Sequence, residues 1–316
     1  MLLRRVFLKT GVSTRAIRLL RQWRPDLVHA HFLPNAWSIA RAARISHIPL
    51  IVTVHGFDVT TWATKPGFWG WRSRRKARVA LNQAALVIAV SGHIREKVLA
   101  LGADPTKVVV HHIGISIPPA PAHRGEADWD VAFVGRFVPK KGVLDLIDAL
   151  GVVARTRSVS AVFIGDGPLM PDALEHAAST NADITFLGAQ APEQVRAVLE
   201  RSRVFAAPSK TAPDGDSEGF GMVFLEAAAA SLPVVSTLHG GIPEAVDDGA
   251  TGLLSPEGDV SALAENILSL LSAPDRRARM GELGRRRVEE RFDIVTQTAL
   301  LEDIYDRVIA QTRRTQ

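Results

Sequence analysis

Cysteine is absent from all 316 residues. That excludes disulfides, thiolate metal sites and cysteine nucleophiles, and it suits a reducing compartment. Also missing is any run of about 18 consecutive apolar residues, so no membrane-spanning helix is predicted. The opening R-R-V-F-L-K has the look of a twin-arginine export signal, but the apolar stretch such a signal needs is broken by Arg15, Arg18, Arg21 and Arg24. Acidic residues are scarce in one half only. Residues 1–120 hold 18 Lys+Arg against 4 Asp+Glu, a charge of +14, whereas the remainder holds 20 against 29, a charge of −9 within the total of +5. A basic half points to a phosphate-bearing partner or an anionic lipid surface. No nucleic-acid recognition motif accompanies the charge, so nucleic acid is not expected.

What is present is an α/β pattern. A chain of this length that is 47% apolar is expected to bury two cores. Short apolar runs bounded by turns recur at 27–32, 50–54, 86–90, 108–110, 131–134, 161–164, 184–187, 204–206 and 233–236, with amphipathic stretches between them. Runs apolar on both faces, alternating with helices, predict parallel sheets covered on each side. The segment P-P-A-P-A-H-R-G-E-A-D-W separates two such series. The expected division is therefore residues 1–117, a linker 118–129, a second domain 130–292, and a C-terminal helix 293–316 able to cross back to the first domain. Everything after Asp259 reads as helix, and the Arg-rich stretch 276–291 is expected to be a solvated helix face.

Several loops carry chemistry. In S-E-G-F-G-M-V-F-L-E, Gly219 and Gly221 let a ligand approach the backbone, and the N–H groups of Met222 and Val223 face an anion at a helix N-terminus. Glu226 on that helix can accept from ribose hydroxyls, and Glu218 can reach sugar hydroxyls. After the strand 131–134 comes G-R-F-V-P-K-K-G, where Arg136 offers a fork for a diphosphate and Lys141 a point charge. I-G-D-G-P-L, with Gly165, is a second glycine turn after a strand. In the first half, V-T-V-H-G-F-D places His55 at the carboxyl end of a strand. His29 and His31 share one face of the strand before it and are either structural or part of the cleft. No tight metal-ligand spacing occurs. D-x-D patterns stand at Asp128–Asp130 and Asp214–Asp216, in a linker and in a loop, and are read as chance. The stretch 61–78 interleaves Trp62, Phe68, Trp69 and Trp71 with Arg72, Arg74, Arg75, Lys76 and Arg78, a composition for a membrane interface or a lipid-linked diphosphate, the alternative being a helix with some of its aromatics in the core.

The motifs D-L-V-H-A-H, T-V-H-G-F-D, V-G-R-F-V-P-K-K-G, I-G-D-G-P-L, E-G-F-G-M-V-F-L-E-A and H-G-G-I-P-E-A-V-D-D-G-A-T-G-L-L, in this order over residues 25–310, resemble the retaining, nucleotide-sugar-dependent glycosyltransferases of family 4. Bacterial exopolysaccharide transferases of the colanic-acid kind are the nearest in character. The resemblance implies the GT-B architecture of two Rossmann-like domains. It implies a diphosphate grip by Arg136 and Lys141, ribose binding by Glu226, and contact with sugar and β-phosphate by Glu218, Gly219, Phe220 and Gly221. It places His55 near the anomeric carbon and puts the backbone around Leu187 and Gly188 against the base. The glycines and Glu244 of H-G-G-I-P-E would shape the floor behind the donor. The implied donor is a UDP- or GDP-sugar and the acceptor a saccharide or a polyprenyl-diphosphate-linked saccharide. Transfer would be metal-independent and cytoplasmic, peripheral to the inner face of the membrane. Family members precede the D-L-V-H-A-H strand with a further strand and a glycine-rich loop, so the N-terminal domain is expected to be incomplete. A shortened, inactive sugar-nucleotide binder and another GT-B activity such as a sugar-nucleotide epimerase are the alternatives.

Overall fold

The computed structural model describes residues 10–119 and 126–315, which excludes the R-R-V-F-L-K opening. The chain forms two compact units. The first comprises the residues up to Ile113 together with Asp214–Gly219 and Thr296 onward, and the second comprises Gly114–Pro213 and Phe220–Val295. The six residues 214–219 thus pack in the first unit, although the sequence division places them in the second.

In the first unit, four parallel strands, β1 (Val28–His31), β2 (Leu50–Val54), β3 (Leu86–Ala89) and β4 (Val108–Val110), lie in the order β1-β2-β3-β4. β2 is buried along its whole length, as expected for a central parallel strand. Helices α1 (Thr14–Trp23), α2 (Leu33–Ile45), α3 (Gly67–Gln83) and α4 (Gly92–Ala100) join the strands. Local chemistry sets their limits. Ser13 caps α1 by accepting from the Ala16 N–H at 3.2 Å, and α1 ends where Arg24 turns left-handed. Ser91 caps α4 through the Ile94 N–H at 3.1 Å.

The second unit holds a six-stranded parallel sheet of β5 (Trp129–Val134), β6 (Ser160–Ile164), β7 (Asp183–Gly188), β8 (Ser202–Ala206), β9 (Val234–Thr237) and β10 (Gly252–Ser255), in the order β10-β9-β8-β5-β6-β7. The last of these was not among the apolar runs read from the sequence. Its four residues begin with a glycine and lie too close to a turn to stand out. Between the strands run α5 (Val143–Ala154), α6 (Met170–Ala178), α7 (Pro192–Glu200), α8 (Met222–Ala229), α9 (Ile242–Ala245), α10 (Val260–Ser272) and α11 (Pro274–Arg291). The rings of Phe133, Phe163 and Phe186 pack in series, 5.2 and 5.4 Å apart, at the core of the β5-β6-β7 half. Strand order reverses at β5, which pairs with both β6 and β8, so the loops after β5 and β8 leave the sheet on either side of a crevice.

Two expectations are corrected here. Parts of the Arg-rich stretch on α11 are structural, not solvated: Arg285 is buried and donates to the carbonyls of Ala229 and Pro118 at 2.6 and 2.7 Å. Arg277 and Arg287 likewise donate to carbonyls, of Leu270 and Glu244. The end of the expected linker is also structured, because Asp128 pairs with Arg201 at 2.7 Å and Trp129 opens β5.

The last helix, α12 (Ile294–Thr315), completes the first unit's core. Ile304 and Val308 are buried against Ile51 of β2 and Ile88 of β3. At the carboxyl end of its strands the sheet is fixed by Asp58, which is fully buried and accepts from the backbone N–H groups of Leu33, His55 and Gly56 at 3.0, 3.2 and 3.0 Å. Replacing Asp58 by Ala leaves three buried donors without an acceptor, and the loss expected is about 3 kcal/mol. A lowered urea midpoint for Asp58→Ala checks this; an unchanged midpoint would show that water replaces the carboxylate.

Candidate functional site

In the second unit, the loops after β5, β6, β7 and β8 meet at one end of the sheet. The Lys210 N–H donates to the Lys140 carbonyl at 2.9 Å, tying the β8 loop to G-R-F-V-P-K-K-G. The Gly165 N–H donates to Gly188 at 2.8 Å. Gly165 has φ +136°, and a Cβ there would sit 1.9 Å from the Gly135 carbonyl oxygen, so only glycine lets these turns nest. Arg136 is exposed and, among the described residues, makes no ion pair. α8 begins at Gly221, φ 87°, and the N–H groups of Met222 and Val223 on its first turn find no backbone acceptor among the described residues. Donors without backbone acceptors at a helix start, on a helix whose Glu226 feels the charge of Lys141, are chemistry that suits an anion. Glu226 lies one turn further on. Burial of its carboxyl raises its pKa although the residue as a whole is exposed, and Lys141 pulls the value back.

Other expected members of the set are placed differently. The Phe220 ring is buried against Phe292, 5.6 Å between centroids, so only its backbone is available to a ligand. The carbonyls of Leu187 and Gly188 already accept from Gln190 and Gly165. His239 of H-G-G-I-P-E is buried and pairs with Glu257 at 2.6 Å, while Lys210 pairs with Asp145 at 2.7 Å.

In the first unit, His55 stands at the end of β2 with its Nε2 2.9 Å from His31 Nδ1 and its ring 4.6 Å from Phe32. Gly219 rests on it: a Cβ at Gly219 would come within 2.3 Å of the His55 carbonyl oxygen. The Ser91 hydroxyl donates to the Gly219 carbonyl at 2.6 Å, which fixes the segment that carries the half-buried Glu218. The same segment uses both aspartates of its D-x-D locally. Asp214 accepts from the Asp216 N–H at 3.1 Å, and Asp216 accepts from the Thr60 hydroxyl at 3.0 Å. No group of three metal-type side chains occurs among the described residues.

The two strand histidines divide between the open readings. His29 is structural, bridging Tyr305 of α12 and Thr53 of β2 at 2.6 and 2.7 Å. His31 is exposed and turned to His55. Sequence reasoning assigned no task to Asp58, Ser91 or Tyr305. For Asp58 the signal was present, since an aspartate closing H-G-F-D just before a helix is an Asx-type turn. Tyr305 had no local signal, because its partner lies 276 residues away.

Burial, then the neighbouring His31, lowers the pKa of His29 and of His55 from 6.5 to about 4. Folding therefore favours their neutral forms. Stability held this way is complete above pH 6.5 and is lost as pH falls from 6.5 towards 4. Urea midpoints measured between pH 7 and 5 should decline, and the decline should be shallower in His29→Gln/His55→Gln. Parallel slopes for the two proteins would refute the assignment.

Comparison with known proteins gives the lineage of these two units. A family model for group 1 glycosyl transferases matches residues 120–287, and one for glycosyltransferase family 4 matches residues 2–117. An uncharacterized glycosyltransferase of Methanocaldococcus jannaschii is 30% identical over 82% of this chain and 69% of its own. A GDP-mannose-dependent monoacylated phosphatidylinositol monomannoside mannosyltransferase of Corynebacterium glutamicum is 29% identical over 90% and 78%. Among solved structures, Anabaena HepE in complex with UDP superposes with a TM-score of 0.77 at 23% identity, covering 92% of this chain and 81% of that one. With two parallel α/β sheets and both family models matched, the chain belongs to the family 4, group 1 glycosyltransferases of the GT-B fold.

Proposed function

We propose that this protein is a retaining glycosyltransferase that takes a sugar from a UDP- or GDP-sugar and passes it to a saccharide or a lipid-linked saccharide in cell-surface polysaccharide synthesis. The observation that carries the reading is the anion site of the second unit: Arg136, Lys141 and the unpaired N–H groups of Met222 and Val223, with Glu226 one turn away. That arrangement suits a nucleoside diphosphate, the cations and helix dipole taking the phosphates and the carboxylate the ribose. Both bases stay in play, because the Corynebacterium relative is named for GDP-mannose and the Anabaena structure holds UDP.

Negative charge grows on the diphosphate as the glycosidic bond breaks. Arg136, Lys141 and the α8 N–H groups therefore bind the transition state more tightly than the ground state, the task a metal performs elsewhere. The departing phosphate takes the proton of an acceptor hydroxyl attacking from the same face. His55, held neutral, is suited to hydrogen-bond sugar hydroxyls near the anomeric carbon without adding charge. Glu218 offers an acceptor for sugar hydroxyls. The protein acts in the cytoplasm, peripheral to the inner face of the membrane; no described helix is long and apolar enough to cross it.

Arg136→Ala and Lys141→Ala should each weaken UDP or GDP binding, or turnover, at least tenfold, since one cation leaves the diphosphate poorly compensated. Calorimetry measures this, and unchanged affinity and rate in both variants would remove the loop from the site. Transfer should persist in excess chelator. Loss in EDTA with recovery on Mg²⁺ or Mn²⁺ would return Asp214 and Asp216 to consideration.

A further inference from the structure

The basic, aromatic stretch of the first unit contains a built cavity. A groove of about 80 Å³ between α2 and α3 is lined by Trp37 and Arg41 from α2 and by Trp71, Arg72, Arg75 and Lys76 from α3. No carboxylate lines it. Its size suits one compact anion and falls far below the roughly 300 Å³ at which drug-sized pockets begin. The cations are arranged by the aromatic rings: Lys76 Nζ lies 4.2 Å over Trp37, and the Arg75 guanidinium lies 5.8 Å from Trp71. Arg41 Nε is shut off from water with no acceptor among the described residues. Burial and the adjacent Arg72 lower the pKa of Lys76, a strain that an anion in the groove would relieve.

The other two cations of α3 are occupied elsewhere. Arg74 donates to the carbonyls of Ala63 and Lys65, both at 3.3 Å, and Arg78 to Leu101 at 3.2 Å. On the first turn of the same helix, Phe68 and Trp69 are 61% and 72% exposed, too open to be core. Trp71, at the groove, is 51% exposed. Large rings in water beside a cluster of unpaired cations match the composition of a membrane interface, where rings enter the headgroup layer and cations meet phosphate.

We propose that this groove receives the phosphate of an anionic lipid headgroup, with Arg41, Arg72, Arg75 and Lys76 as its ligands and Phe68 and Trp69 inserted into the interface beside it. The proposal specifies the surface behind the peripheral placement given above and rests on that reading. Arginine forks suit phosphate oxygens, and three of them at one groove discriminate a phosphate from diffuse negative charge.

The test is cosedimentation of the whole chain with phosphatidylcholine vesicles, with and without phosphatidylglycerol, alongside calorimetry with UDP and GDP. Wild type should bind the anionic vesicles at least tenfold more tightly than the neutral ones, and salt should weaken the binding. Arg72→Gln/Arg75→Gln should lose at least tenfold in vesicle affinity while keeping nucleotide affinity, which also shows that it folds. Arg72→Lys/Arg75→Lys should retain more of it, and Phe68→Ala/Trp69→Ala should lose the salt-resistant part. Wild type that ignores anionic vesicles, or a Gln variant that binds them as well as wild type, would overturn the proposal. So would inorganic pyrophosphate binding at the groove without vesicle binding, or single-stranded RNA bound more tightly than vesicles. Vesicle binding without UDP or GDP binding would support the groove and sink the donor-site reading instead, so the two fail separately.

Discussion

A parallel sheet ends all its strands at one edge, and the backbone groups released there have to be paired again locally. Both units are organised by that requirement. In the first, one buried carboxylate, Asp58, collects three N–H groups, and in doing so it holds the turn on which His55 stands. The N–H groups that support it oppose the upward shift that burial gives its pKa. In the second, carbonyls and N–H groups of successive loops pair with each other, while the N–H groups of Met222 and Val223 at the start of α8 have no backbone acceptor among the described residues.

Side-chain-free backbone makes this nesting possible. Gly219 and Gly165 each lie where a Cβ would collide with a carbonyl oxygen of another loop. These are contacts between main chains, so their geometry does not shift with rotamers. A ligand group that replaces water beside such backbone meets donors already fixed in position, which is the condition for electrostatic stabilisation without reorganisation.

The sheets were legible in the sequence because strands buried on both faces are continuous apolar runs, as β2 and β6 show. The loop residues were legible because glycine and charge at strand ends have few other uses. What stayed hidden depended on distant pairing. Nothing near Arg285 marks it as buried, since its acceptors at Ala229 and Pro118 come from other elements. Arg74 and Arg75 are neighbours of the same type, yet one holds backbone carbonyls and the other lines a groove. The allocation of 214–219 to the first unit was equally invisible, because it rests on Ser91 and Thr60 reaching a segment more than 120 residues away.

The helix α12 gives the chain an unusual order of events during synthesis. Ile51 and Ile88 leave the ribosome early, but Ile304 and Val308, which cover them, come more than 200 residues later. At translation speeds of about 5–20 residues per second, that interval is on the order of ten seconds or more. For that time the half made first has an open apolar sheet face, while the half made second already has every strand of its own sheet. Covering that face therefore waits on the closure of a loop of more than 200 residues, and until then the exposed apolar strands are open to association.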